Sequence, residues 1–207
     1  MNFVGVGTGS VRRHCYGHVR YTRRSPRRYL PRLADAAANR HSPMHTPVVA
    51  TADADARVMV LRAFDADRWT LRFHTDARSP KVAVIEGDPR MAVLAYDRDA
   101  KVQLRLRGTA RIERGGEIVD AAWAESTNFA RRCYLGEGPG AISDVPTSGL
   151  PPEFERDEPD DVQLVPAREN FAVLLMQAEE IDWFSLAHHG HRRAVLARHG
   201  AARWIAP

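Results

Sequence analysis

Disulfide chemistry has little to work with in this chain, because only two of its 207 residues are cysteines, Cys15 and Cys133. Two thiols far apart in sequence exclude a disulfide-stapled secreted scaffold, and both are expected to be free in a reducing cytoplasm. Long hydrophobic runs are missing as well. The longest, residues 58–61 and 171–176, are strand-sized and fall short of the roughly 20 apolar residues that a membrane-spanning helix needs, so no membrane association is expected. No internal repeat is present, which excludes a solenoid or propeller. Acidic residues are absent from one stretch: residues 1–32 carry eight arginines and no Asp or Glu, so the formal net charge of +4 conceals a remainder richer in acids than in bases. That basic head lacks the apolar segment of a secretory signal. It fits either a nucleic-acid arm or a solvated extension, and residues 1–30 are read here as a disordered basic extension, with nucleic-acid binding not expected.

The rest reads as one domain, residues 31–207, of a size that supports its own core. An Ala-rich stretch with Leu33 in register predicts a short helix over residues 30–39, and Ser42, Pro43 and Pro47 then break the chain. Runs rich in Val, Leu, Thr and aromatic residues predict strands at 47–51, 57–64, 69–75, 91–97 and 102–112, with hairpin turns at 53–56 and 65–68. Helices are predicted at 80–86 and from 117 to about 134. Residues 136–163, opened by Gly and Pro and followed by six acidic side chains, predict a long exposed loop of the kind that carries function or mobility. Four closing strands are expected at 171–177, 181–186, 192–196 and 203–205. About eight antiparallel strands with few helices imply a mainly β, closed or partly closed barrel, which is how such sheets avoid free edges.

Chemistry concentrates between residues 57 and 81. Ser79 followed by Pro80 is a helix start, where unpaired backbone N–H groups attract anions, and Arg78 and Lys81 flank it. The pattern fits a phosphate site or a solvated basic turn. Gln103, Arg105 and Arg107 share one face of a strand whose other face carries Leu104 and Leu106. His188, His189 and His191 lack a Cys or carboxylate to complete a tetrahedral set, so a polar turn is expected and no metal. Trp69, Phe73, Trp183, Phe184 and Trp204 are read as core or interface residues.

The segment Arg57-Val58-Met59-Val60-Leu61-Arg62 resembles the signature strand of the pyridoxamine 5'-phosphate oxidase family. His74-Thr75, Ser79, Lys81, Asp88-Pro89-Arg90 and Gln103 follow in the family's order. Ile181-Asp182-Trp183 and the ending Arg203-Trp204-Ile205-Ala206-Pro207 extend the likeness over about residues 45–207. Arg78-Ser79-Pro80-Lys81 and Gly190-His191-Arg192-Arg193-Ala194 are similar to an uncharacterised branch of that family.

The resemblance implies an FMN-binding split β-barrel, a homodimer with FMN at the interface, and a small-molecule substrate. Carried over residue by residue, Arg57 and Lys81 would grip the FMN phosphate, with Arg78 and Ser79 beside them. The backbone of Met59, Val60 and Leu61 would line the ring, His74 and Thr75 would take ring and ribityl positions, Arg62 would touch flavin and substrate, and Gln103 would hydrogen-bond the flavin. Pro80 stands where the oxidase has a phosphate-binding Arg, a charge that Arg78 is expected to supply. Trp123, Thr127 and Arg131 stand near the oxidase's substrate-phosphate residues, and its C-terminal Arg-x-His motif is displaced, leaving Arg192 and Arg193 as substrate candidates. The implied function is an FMN-dependent oxidoreductase with no protein acid or base required and a substrate other than the vitamin B6 phosphates. The alternative is a flavin- or haem-binding split barrel without turnover.

Overall fold

The structure is a computed structural model that describes residues 30–207. The expected basic extension, Cys15 included, lies outside the described residues apart from its last position.

Nine strands form one antiparallel sheet: β1 (Val48–Thr51), β2 (Ala56–Val58), β3 (Ala63–Asp65), β4 (Thr70–Asp76), β5 (Arg90–Asp97), β6 (Val102–Glu113), β7 (Phe171–Ser185), β8 (Arg192–Ala197) and β9 (Arg203–Ile205). Their order is β2-β1-β5-β6-β7-β4-β3, with β8 on β7 and β9 on β8. Among the described residues five α-helices accompany them: α1 (Leu30–Ala38), α2 (Pro80–Gly87), α3 (Glu117–Glu125), α4 (Asn128–Arg131) and α5 (Ala167–Asn170). Among the described residues no helix is long and apolar enough to cross a membrane.

The two ends of that strand order, β2 and β3, are consecutive in sequence. The single strand expected over residues 57–64 is therefore interrupted, because residues 59–62 cross from one sheet edge to the other. The Met59 and Leu61 N–H groups donate to the carbonyls of Pro47 and His45 (3.0 and 2.9 Å), and the Arg62 N–H donates to the Arg72 carbonyl on β4 (2.9 Å). The crossing closes the sheet into a barrel and satisfies edges that would otherwise be exposed. Inside lie Leu61, Leu71, Phe73, Leu104, Leu106, Leu174 and Met176, all fully buried, and Leu33 and Ala36 of α1 join the same cluster. Burying each large apolar side chain is worth about 1.5–3 kcal/mol.

The second departure concerns β7, expected as two strands and found as one of 15 residues. Opposite its middle, the β6 register shifts: Arg107 faces Glu180, Gly108 faces Ala178, and Glu179 is the extra residue of a bulge. The bulge absorbs the irregularity that reads in the sequence as a break. It also marks where the neighbour on the far side of β7 changes from β4, paired as far as Gln177, to β8, paired from Glu180. The apolar run 171–176 is buried on both faces. Leu174 and Met176 point into the barrel, while Phe171, Val173 and Leu175 form a second cluster with Val119 and Ala122 of α3, against which Trp123 and Tyr134 pack.

The third departure is the helix expected from 117 to about 134, which breaks after Glu125. The Ser126 hydroxyl donates to the Ala122 carbonyl (2.8 Å), and the Thr127 side chain accepts from the Ala130 N–H (3.2 Å), so one helix is closed and a new one capped within two residues. A 3-10 turn, Arg132–Tyr134, follows α4. The short α5 before β7 was not foreseen; the long loop before it is largely irregular and exposed, as expected.

A Cβ on Gly108 would lie 1.9 Å from the Gln177 carbonyl oxygen, whereas one on Gly115 would meet nothing within 4 Å. Gly108→Ala is expected to destabilise the protein by about 1–3 kcal/mol or more through forced backbone movement, with Gly115→Ala near neutral. Urea denaturation of both variants checks this; equal midpoints would contradict the close approach at the bulge.

Candidate functional site

The barrel's closing segment forms the floor of a cleft of about 370 Å3. β2 brings Arg57 and Val58 to it, the crossing brings Met59, Val60 and Arg62, β4 brings His74, Thr75 and Asp76, and the first turn of α2 brings Lys81. The far wall is Cys133 and Tyr134 from the 3-10 turn, with Pro139 from the loop beyond it. Seven of the residues singled out in the sequence thus converge: Arg57, Met59, Val60, Arg62, His74, Thr75 and Lys81.

The cleft has more positive charge than its own acids neutralise. Arg57 donates to the Thr51 hydroxyl (2.9 Å) and pairs with Asp55, and Asp76 is matched by Arg78. Arg62 is exposed and has no ion pair among the described residues, and residues 1–32 contain no acid that could supply one. Among the described residues, the hydrogen-bond partner of Lys81 is the Ser79 hydroxyl, at 2.6 Å. Burial, and after it the charge of Arg57, lowers the Lys81 ammonium below its ordinary value, so a bound anion at this end would stabilise both cations.

The middle of the cleft is neutral and short of partners. Burial, reinforced by Arg62 and Arg72, pushes the His74 imidazole down from its usual 6.5 to about 4. Its Nε2 is buried with no hydrogen-bond partner among the described residues, and its ring stands edge-on to Phe171 at 5.0 Å. The Val60 N–H, between two amides that bond to residues 45 and 47, has no backbone acceptor among the described residues. A buried polar group without a partner costs about 1–3 kcal/mol, so His74 Nε2 is an unsatisfied polar atom in the wall of the cleft. Burial also pushes the Tyr134 phenol up, keeping that wall uncharged.

Other expected site residues lie elsewhere. The Leu61 side chain is fully buried in the barrel and its N–H is taken by His45, so of Met59, Val60 and Leu61 the middle residue alone offers a backbone donor. Ser79 occupies the N-cap position of α2, yet its hydroxyl bonds Lys81 and not the helix. Arg78 turns away to Asp76 and the Gly136 carbonyl, so it does not replace the charge lost at Pro80. Gln103 lies on the outer face of β6, paired across from Tyr96 and Phe184 and outside the cleft lining. Arg193 is bound through Nε and Nη2 to Asp182 (3.0 and 2.7 Å), which Arg105 also contacts, and Arg192 is exposed on β8. Burial raises the Asp182 carboxyl, but the hydrogen bonds from Arg193 and Arg105 outweigh it and hold the group below its ordinary value. Arg131 is likewise consumed, donating to the Trp123 and Ala124 carbonyls and to the Asn128 side chain.

Asp76, Cys133, Tyr134 and Pro139 were not anticipated. Asp76 sits inside the His74–Lys81 motif and was legible there as the only acid among cations; Cys133 and Tyr134 come from a break in a helix that the sequence pattern did not show, and Pro139 from the expected long loop.

Residues 26–114 match the family model described as pyridoxamine 5'-phosphate oxidase, FMN-binding domain. A comparison with curated proteins gives no sequence match. Among solved structures, the chain is similar to a pyridoxamine 5'-phosphate oxidase-related, FMN-binding protein from Nostoc punctiforme, with TM-score 0.69 and 24% identity over 88% of this chain and 98% of that one. It is also similar to PhzG from Burkholderia lata, solved with tetrahydrophenazine-1-carboxylic acid, with TM-score 0.63 and 18% identity over 88% and 93%. A Clostridium acetobutylicum protein of the pyridoxinephosphate oxidase family, related to general stress protein 26, gives TM-score 0.52 and 12% identity over 82% and 95%. These likenesses establish the antiparallel split-barrel fold.

The depressed His74 value fixes a sign. Because the folded value lies below the unfolded one, the stability linked to His74 is complete above pH 6.5 and is lost as the pH falls towards about 4. An NMR titration of the imidazole is expected to show His74 still neutral at pH 5.5; a midpoint near 6.5 would contradict its burial between Arg62 and Arg72.

Proposed function

We propose that this chain, whose residues 26–114 match the model of the pyridoxamine 5'-phosphate oxidase FMN-binding domain, holds FMN in the cleft and acts as an FMN-dependent oxidoreductase on a small molecule. The observation that supports this most is the pairing of two uncompensated cations, Lys81 and Arg62, with an uncharged, partner-poor wall at His74 and Val60. A phosphate ester carries nearly two negative charges at neutral pH and at the Arg57–Lys81 end would meet the uncompensated Lys81 beside the Asp55-paired Arg57. The volume falls within the ~300–1,000 Å3 usual for small-molecule sites.

In this reading Arg57 and Lys81 hold the phosphate, and the Val60 N–H and His74 Nε2 face the ring. Thr75 borders the chain between ring and phosphate, Ser79 holds the Lys81 ammonium from behind, and Arg62 stands at the open side towards substrate. Bound FMN supplies two-electron, hydride-type chemistry; the chain's own residues bind, orient and shield it. Neutral His74 keeps a second cation away from the ring, and Tyr134 with Pro139 covers the side opposite the crossing.

A second copy completes the site. Val58 (63% exposed) on β2 and Leu94 (38%) and Tyr96 (44%) on β5 lie on the outer face of the sheet. The registers align Val58, Val48 and Leu94 in one row and Ala56, Ala50 and Ala92 in the next. This apolar face runs into the cleft through Val58, and Gln103 lies beside it. Gln103 therefore meets a flavin only across a dimer interface.

Of the arginines expected near a substrate phosphate, Arg131 is tied to backbone carbonyls and Arg193 to Asp182, and Arg132 beside Arg131 donates to the Phe154 and Glu155 carbonyls. Without two charge-assisted contacts at about 1.5–3 kcal/mol each, catalytic efficiency falls by roughly two to four orders of magnitude. Turnover of pyridoxamine or pyridoxine 5'-phosphate well below about 1 per second is expected, and ordinary turnover in a steady-state assay would overturn this restriction.

Purified protein is expected to show the visible spectrum of bound flavin and to sediment as a dimer. Arg57→Ala and Lys81→Ala are each expected to weaken FMN at least about tenfold, the equivalent of roughly 1.4 kcal/mol. A colourless monomer that ignores added FMN, or unchanged affinity in both variants, contradicts the assignment. Substrate-dependent bleaching of the flavin separates turnover from simple binding.

A further inference from the structure

Arg78 lies one residue before the helix start that frames the phosphate end of the cleft, in the place where a missing phosphate ligand would be sought. Its guanidinium has other work. Nε and Nη2 form a two-point contact with Asp76 (3.0 Å to Oδ1 and 2.7 Å to Oδ2), the Arg78 N–H also donates to Oδ1 (2.8 Å), and Nη2 reaches the Gly136 carbonyl (3.0 Å) across 58 residues of sequence. The carboxylate's grip raises the Arg78 value further, so its charge is permanent.

The far end of that bridge is the loop that walls the cleft. Gly136 is pressed against the opposite branch of the loop: a Cβ there would lie 2.7 Å from the Gly149 carbonyl, and the Glu137 N–H donates to the same oxygen at 2.9 Å. Gly138 lies on the Arg78 stem, since a Cβ there would come 3.7 Å from the Arg78 Cβ, and Gly140 lies 3.7 Å from Pro80 by the same measure. On one side of this contact stand Cys133 and Tyr134, on the other Pro139, and all three line the cleft. The Asn170 side chain holds the Tyr134 carbonyl (2.9 Å), while the Asn170 carbonyl accepts from the Ala77 N–H (2.8 Å), so the residues before Arg78 are tied to the same wall.

From this geometry we infer that Arg78 is a positioning residue that fastens the loop around Gly136 as the outer wall of the cleft, acting on the whole flavin and not on its phosphate. The inference rests on the flavin reading of the cleft. It assigns a division of labour within Arg78-Ser79-Pro80-Lys81: Lys81 faces the ligand and Arg78 faces the wall. Because Arg78 also neutralises Asp76 beside the cleft, removing Arg78 alone would leave a carboxylate near the phosphate and confuse the two roles. The double variant Asp76→Asn/Arg78→Gln removes one charge of each sign and leaves the net charge of the cleft unchanged.

FMN and riboflavin, which differ in the phosphate, discriminate the roles. In the double variant both are expected to bind about tenfold more weakly, with the loss in faster dissociation and the association rate unchanged, as a loosened wall requires. Lys81→Ala, by contrast, is expected to weaken FMN and spare riboflavin. Hydrogen exchange of the protein without flavin is expected to accelerate over residues 133–140 in the double variant and not in Lys81→Ala. A selective loss of FMN in the double variant would make Arg78 a phosphate ligand and overturn the inference, as would unchanged exchange over 133–140. If the wild-type protein bound neither flavin, the flavin reading would fall, and the exchange rates alone would still decide whether Arg78 holds the wall.

Discussion

One short stretch of chain has to serve as both edges of the same sheet, and the rest of the molecule is arranged around that requirement. Residues 56–58 pair with β1 and residues 63–65 with β4, at opposite ends of a seven-strand path, so residues 59–62 must cross between them. Crossing closes the barrel, buries Leu61 and commits the amides of Met59, Leu61 and Arg62 to neighbouring backbone. It also leaves the Val60 N–H without a backbone acceptor among the described residues and brings Arg57 and Arg62 to one groove. The cleft is thus a consequence of closure: the place where the ladder changes partners is where backbone and side chains become available to a ligand.

The second apolar cluster supplies the other wall. Phe171, Val173 and Leu175, on the outer face of β7, hold α3 against the barrel, and Phe171 meets His74, Trp123 and Tyr134 in edge-on contacts at 5.0–5.3 Å. Packing in this cluster orients two cleft residues from different parts of the chain, His74 on β4 and Tyr134 beyond α4. Burial in the same cluster keeps both uncharged, while the cations gather at the cleft's ends. A ligand with an uncharged body and an anionic tail is complementary to that distribution, which supports the proposed flavin reading alongside the family likeness.

Much of this was legible in the sequence, for identifiable reasons. Alternating apolar residues marked β4, β5, β6 and β8 within a residue or two, and Ser79-Pro80 marked the start of α2. The cations at 57, 62 and 81 converge as the resemblance implied. What was not legible depends on tertiary closure. Nothing local distinguishes residues 59–62 from strand, since their break comes from a change of partner; nothing local shows that 171–177 and 181–186 are one strand, since the bulge at Glu179 between them is accommodated by pairing with β6. The break at Ser126 and Thr127 was readable in hindsight from two hydroxyl residues suited to ending one helix and capping the next. Arg78 and Arg193 looked like ligand residues because their charge is visible in the sequence, while their partners, the Gly136 carbonyl and Asp182, are brought to them by the fold.

The central claim is that the groove made by the crossing holds FMN with its phosphate between Arg57 and Lys81. A crystal structure of the protein grown with FMN tests it most directly. The account predicts phosphate oxygens within hydrogen-bonding distance of the Arg57 guanidinium and the Lys81 ammonium, with the ring against Val60 and His74. A phosphate seated away from both cations, or flavin bound outside this cleft, would contradict it.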